Sequence, residues 1–189
     1  MTQYLDEYDP KAKSVAKKVQ SDVQKLKFNN IQSCIAVVLV PVGRQIMVGV
    51  HLTTSTTTNK AELKSVMEEL RQAAGAGPCD AYLVSAWAYH AGTDLAKELK
   101  KLARAVYLCD VPAKSAADAS ADVDVKVQLA GSRLQAYVRL HAVNLKDASG
   151  RAIVNPDWNR ATALPGKPQN LTDRDAKPWM AVAFRPLLS

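Results

Sequence analysis

The chain has 189 residues, 48% of them hydrophobic, and a formal net charge of +7. That length suits one domain with enough apolar content for a core, and no uninterrupted apolar run reaches the roughly 18 residues that a membrane span requires. The lysines sit on helix-like faces rather than in a stripe interleaved with aromatics, and aromatics are only 6%, so a base-stacking nucleic-acid binder is not expected. The three cysteines, Cys34, Cys79 and Cys109, are too scattered for a disulfide framework and form no zinc-ligand cluster. The acidic, polar start MTQYLDEYDP is not a Sec signal. A cytoplasmic protein, or one exported by a signal-peptide-independent route, fits these features.

In chain order, Asp9-Pro10 reads as a helix start, followed by a stripe of Val15, Val19, Val23 and Leu26 that ends at Asn29-Asn30. Ile35–Val40 and Ile46–Leu52 are two β-rich runs separated by Pro41-Val42-Gly43-Arg44, which predicts a hairpin. Thr53 to Thr58 is β-branched and polar, and reads as a loop. Asn59 to Ala73 is the clearest helix, with Asn59 and Glu62 as a capping box and Leu63, Val66, Met67 and Leu70 on one face. Ala81–Tyr89 reads as a central buried strand. Thr93 or Asp94 caps a helix carrying Leu95, Leu99 and Leu102. Ala105–Leu108 then returns as a strand, making a parallel crossover.

Pro112–Ala121 is small and polar and reads as a loop. Asp122–Leu129 alternates, with Val123, Val125, Val127 and Leu129 inward and Asp124, Lys126 and Gln128 outward. After Gly131-Ser132, Leu134–Val143 pairs back with it. The pattern predicts an α/β domain over residues 1–143, built on a mixed β-sheet or a two-sheet sandwich flanked by helices. Residues 144–189 read as an irregular C-terminal extension rich in proline, with Trp158 and Trp179 packing it down and Met180–Phe184 as a last strand.

The hairpin carries the chemistry. Cys34 and His51 fall at its open end, at nearly equal distance from the turn. A thiol beside an imidazole is the minimal kit for a thiolate nucleophile. Taken singly, Cys34 reads as a small apolar strand residue and His51 as a strand-end histidine. Their shared hairpin is what favours a dyad. Ser33, Asn30 and Gln32 are candidates to orient the imidazole or to bind an oxyanion, and Thr53 and Thr54 to line a cleft. His90 reads first as a surface-loop residue and otherwise as one at a cleft mouth, His141 as structural, Trp87 as core, and Cys79 and Cys109 as packing residues. No cofactor or metal is implied.

Ser33-Cys34, Ala36-Val37, Leu39, Gly49 and His51-Leu52 resemble the chemotaxis deamidase family CheD, which has a G-S-C-x-A-V-x-L strand followed by a histidine at the same interval. The order of elements from Asn30 to Val143 is similar too. The same Cys–His arrangement is found in the cytotoxic necrotizing factors and the Burkholderia lethal factor. The resemblance implies a CheD-like fold and a cysteine-dependent protein-glutamine deamidase, in the toxin branch a bacterial effector, with a protein substrate carrying a reactive glutamine and neither nucleic acid nor membrane as partner. Cys34 is then the nucleophile and His51 the base and acid. The departures are Phe28, where the family places an imidazole-orienting threonine; Gln32, where it places glycine; and His51-Leu52-Thr53-Thr54-Ser55 in place of H-x-M-L-P. The alternatives are an inactive relative that binds a protein partner, another thiol amidase, transglutaminase-like or peptidase enzyme on the same pair, and a structural accessory protein.

Overall fold

The computed structural model describes residues 2–5, 17–20, 25–31, 33–110, 123–131, 133–140 and 180–187. Among these, two sheets and three α-helices form. The strands are β1 (Thr2–Leu5), β2 (Lys17–Gln20), β3 (Lys25–Ile31), β4 (Ile35–Pro41), β5 (Ile46–Leu52), β6 (Cys79–Ser85), β7 (Ala103–Asp110), β8 (Val123–Ala130), β9 (Arg133–Leu140), β10 (Met180–Val182) and β11 (Arg185–Pro186). The helices are α1 (Thr54–Thr58), α2 (Lys60–Ala74) and α3 (Leu95–Leu102). One sheet runs β1-β3-β8-β9-β10 and the other β11-β7-β6-β4-β5-β2.

The hairpin forms as its sequence predicts. β4 and β5 pair antiparallel, with Ile35 opposite Leu52 and Ala36 opposite His51. The turn closes on Gly43 at φ +74, a conformation that glycine adopts without a Cβ clash. Alternation then sorts the strand into two faces. Ala36, Val38 and Val40 join a core with Leu26, Phe28, Val125, Val127, Ala136 and Val138 of the other sheet. Ile35, Val37 and Leu39 face a second core with Leu63, Val66, Leu70 and Leu99 of the helices. The molecule is therefore layered as sheet, sheet and helices, and β4 is buried on both faces.

α2 begins where expected. The Asn59 side chain accepts from the N–H groups of Ala61 and Glu62, and Gly75 ends the helix at φ +82. The capping box is not reciprocal, because the Glu62 carboxylate instead accepts from the Thr56 hydroxyl at 3.2 Å. β6 lies between β4 and β7 and runs parallel to β7, with α3 in the connection. Thr93 caps α3 from outside: its hydroxyl accepts from the Leu95 N–H at 3.3 Å, whereas Asp94 makes no side-chain cap bond. β8 and β9 pair antiparallel around Gly131 at φ +62.

Several expectations are corrected. The helix expected from Asp9 to Asn30 is not formed where it is described. Lys17–Gln20 pairs with β5, and Lys25–Ile31 pairs with β1 and β8. Thr53–Thr58 is not a loop: Thr53 caps a short helix, its hydroxyl accepting from the Thr56 N–H. The strand expected over Ala81–Tyr89 ends at Ser85, and Trp87–Tyr89 is a 3-10 turn. The face of β8 expected to meet solvent is buried, with Asp124 1% and Lys126 5% exposed. Beyond 143, the expected last strand forms over Met180–Val182 beside β9, and Arg185–Pro186 adds to the other sheet beside β7. Residues 112–121 and 144–179, with His141, Trp158 and Trp179, lie outside the described residues.

Candidate active site

Cys34 directly precedes β4, and His51 is the penultimate residue of β5. Cys34 shares the inter-sheet core with Ala36, and His51 stands opposite Ala36 in the ladder. Cys34, just outside the ladder, and His51, which meets Phe28, therefore both face the inter-sheet core at the open end of the hairpin. His51 is 2% exposed and Cys34 7%.

Phe28 reaches across from β3 and meets the imidazole of His51 edge-on, with ring centroids 6.3 Å apart and planes at 81°. The ring packs in the inter-sheet core and is fully buried. Phenylalanine offers no hydroxyl to the imidazole, so Phe28 meets the ring through shape and quadrupole.

The remaining sequence candidates divide. Thr54 joins the site: its hydroxyl donates to the Ser33 carbonyl at 2.7 Å. Ser33 is thereby tied to α1. The Thr53 hydroxyl is used in capping α1 and contacts Ser55 at 2.7 Å. Asn30 lies in β3, where its backbone alone is described, and Gln32 lies outside the described residues.

His90, expected at the surface, is instead 0% exposed. Its Nδ1 lies 3.0 Å from the Thr57 hydroxyl. Burial lowers its pKa below the ordinary histidine value, and the nearby main chain of Cys34 and Ser33 opposes that shift. Its Nε2 is buried without a hydrogen-bond partner. The sequence signal for this placement was the apolar Ala81–Ala88 stretch leading into a short turn, which holds His90 against the sheet end rather than releasing it to solvent.

The other two cysteines differ from Cys34. Cys79 donates its S–H to the Leu102 carbonyl at 3.1 Å, and burial, then Asp80, push its thiol pKa up. Cys109 is 0% exposed in the inter-sheet core. No disulfide forms. Among the described residues no group of three or more histidine, cysteine or acidic side chains could hold a metal, and no helix is long and apolar enough to cross a membrane.

A cleft of about 680 Å³ opens elsewhere, between β6 and β7 of one sheet and β9 and β10 of the other. It is lined by Tyr82, Arg104, Tyr107, Arg133, Tyr137 and Phe184 among others, and includes neither Cys34 nor His51. Compared with known proteins, the chain matches no family model and no curated protein.

Proposed function

We propose that the protein is a cysteine-dependent protein-glutamine deamidase with a CheD-like fold, acting through Cys34 and His51, and that it serves as a bacterial effector or toxin. The observation that supports this reading is that Cys34, directly before β4, and His51, near the end of β5, both face the inter-sheet core at the open end of the hairpin. Its layers, with a hairpin, an amphipathic helix, a parallel crossover and a terminal antiparallel pair, agree with the resemblance in the Cys34–His51 motif.

The chemistry follows from those two side chains. His51 takes the Cys34 thiol proton, and the thiolate attacks the carboxamide carbon of a glutamine. The amides of Ser33 and Cys34 are the candidates to bind the oxyanion. Collapse of the tetrahedral adduct expels ammonia, which receives the proton from the imidazolium. Water, deprotonated by the same imidazole, then cleaves the thioester to leave glutamate and the thiol. No cofactor or metal enters this scheme.

The Phe28–His51 contact and the burial of His51 favour a second reading, a non-catalytic relative that binds a partner protein. Intact-mass analysis of candidate partner proteins separates the two. A deamidase adds about 1 Da per modified glutamine and releases ammonia, and Cys34→Ala abolishes both. A binder retains its partner in the Cys34→Ala variant and changes no mass. Peptide cleavage products in place of the mass change would point to a protease on the same pair.

A further inference from the structure

We propose that the cleft between β6 and β7 of one sheet and β9 and β10 of the other is a binding site for a small aromatic carboxylate, with its ring against Tyr82, Tyr107 and Phe184 and its charge on Arg133. The site is separate from the Cys34–His51 pair and does not rest on the deamidase reading. Tyr82 pairs with Val38, three residues along β4 from Ile35, which sets the cleft about 10 Å along the strand from its Cys34 end.

The shape comes from the C-terminal strands. β10 lies beside β9 in one sheet and β11 lies beside β7 in the other, so the chain crosses between the sheets at Ala183 and Phe184. That crossing and the facing strands bound about 680 Å³, the size of a small-molecule site. Tyr82 and Tyr107 are partners in the parallel ladder of β6 with β7. Their rings stack, with centroids 5.1 Å apart and planes at 19°. Phe184 meets Tyr82 edge-on at 5.0 Å. The three rings give the cleft an aromatic wall, which suits another flat ring.

The polar side chains of the cleft divide into those already used and those left over. Asp80 accepts from Arg104 at both oxygens, from Nε at 2.8 Å and from Nη2 at 3.0 Å, so that pair leaves no net charge. The Gln135 Oε1 accepts from the Tyr137 hydroxyl at 3.0 Å. Donors remain. Arg133 is exposed, and among the described residues no carboxylate pairs with it. The Tyr82 and Tyr107 hydroxyls line the same cleft and make no hydrogen bond among the described residues. Burial, then Asp80, hold the Tyr82 phenol above its usual pKa of 10.0, so it keeps its proton to donate. With its side-chain acceptors occupied and its donors open, the cleft fits an acceptor. One uncompensated guanidinium makes that acceptor an anion, and its planar fork matches a carboxylate. A bare inorganic ion would leave the aromatic wall uncovered, and a neutral ring would leave Arg133 unmatched.

The test is isothermal titration calorimetry of the full chain with naphthoate, with neutral naphthamide and with acetate. Naphthoate is expected to saturate a single site with a Kd of about 1 mM or below. Naphthamide, which lacks the charge, and acetate, which lacks the ring, should each bind at least about tenfold more weakly. Arg133→Gln should bring naphthoate down to the level of naphthamide. Tyr107→Leu should weaken both aromatic probes alike. Should Tyr107→Leu fail to fold, Arg133→Gln decides, because Arg133 is exposed and its replacement leaves the core untouched. Cys34→Ala should bind naphthoate as the wild type does, so the result stands apart from the deamidase reading. Absence of saturable binding, equal affinity for naphthoate and naphthamide, or a preference that survives Arg133→Gln overturns the proposal. A Cys34→Ala chain that folds but has lost the site overturns it too.

Discussion

The Phe28 ring stands edge-on to the His51 imidazole, centroids 6.3 Å apart, with Phe28 on one sheet and His51 on the other. Phe28 is fully buried, so its removal leaves a cavity in the inter-sheet core. Phe28→Ala is expected to lower the unfolding free energy by about 3–5 kcal/mol, measured by urea denaturation. A loss below about 1 kcal/mol would show that the core collapses around the site.

The Thr54 hydroxyl is the shortest side-chain link between α1 and the Ser33 carbonyl, at 2.7 Å. Thr54→Val keeps the shape and removes the donor. It should cost about 1 kcal/mol in urea denaturation, and more if the Ser33 carbonyl is left without another partner. An unchanged midpoint would mean that the contact contributes nothing net.

His90 ties stability to acid. Its folded-state pKa lies below the ordinary 6.5, chiefly through burial. The unfolded chain therefore takes up the proton first as pH falls. The contribution of His90 is fully present above 6.5 and is lost as the pH drops through the lower folded value. Around the ring stand the Thr57 hydroxyl, the main chain of Ser33 and Cys34, and the Trp87 ring at 6.5 Å, none of which carries a charge. Unfolding free energy measured from pH 7 to pH 5 should fall by at most about 1.4 kcal/mol per unit on this account. His90→Asn should flatten that slope. A slope equal in both chains would remove His90 as its cause.

Cys79 acts in the opposite direction. Its thiol pKa is raised above the ordinary 9.0 by burial and by Asp80. The unfolded chain ionises first as pH rises, so the stabilising contribution is complete below 9.0 and is lost above it. Tyr82, raised above 10.0, adds to the loss at still higher pH. Cys79→Ala should reduce the decline between pH 9 and pH 10, followed by denaturant midpoints. No change in that decline would assign it to other groups.

Asn59 ends α1 and begins α2, its side chain accepting two N–H groups. Asn59→Ala is expected to destabilise by about 1 kcal/mol. Asn59→Gly should cost only a few tenths, because glycine keeps the non-helical conformation of the cap. Equal losses in the two variants would point to the backbone rather than the side chain.

Much of the middle of the fold was legible in the sequence. The hairpin, α2, the β6–α3–β7 crossover and the β8–β9 pair all rest on short-range signals: alternation, turn residues, and caps followed by spacings of three and four. The N-terminal error has a physical origin. Val15, Val19 and Val23 are four apart, which fits one face of a helix but also one face of a strand, since four is an even spacing. In β3, Leu26 and Phe28 resolve it, both fully buried two residues apart. The threonine segment erred the other way. Thr57 and Thr58 turn their hydroxyls onto the Thr54 carbonyl, so the groups that usually compete with a helix here bond along it.

By itself the sequence determined which segments pair and which coil, and it placed Cys34 and His51 at one end of one hairpin. Those properties depend on residues a turn or a strand apart, where covalent geometry dictates the neighbours. Only the tertiary structure decided that Phe28 lies against His51, that His90 is buried against Thr57, and that Asp124 and Lys126 of β8 are buried. Each of those juxtapositions joins elements distant along the chain, and packing of one sheet or loop against another, not local periodicity, sets them.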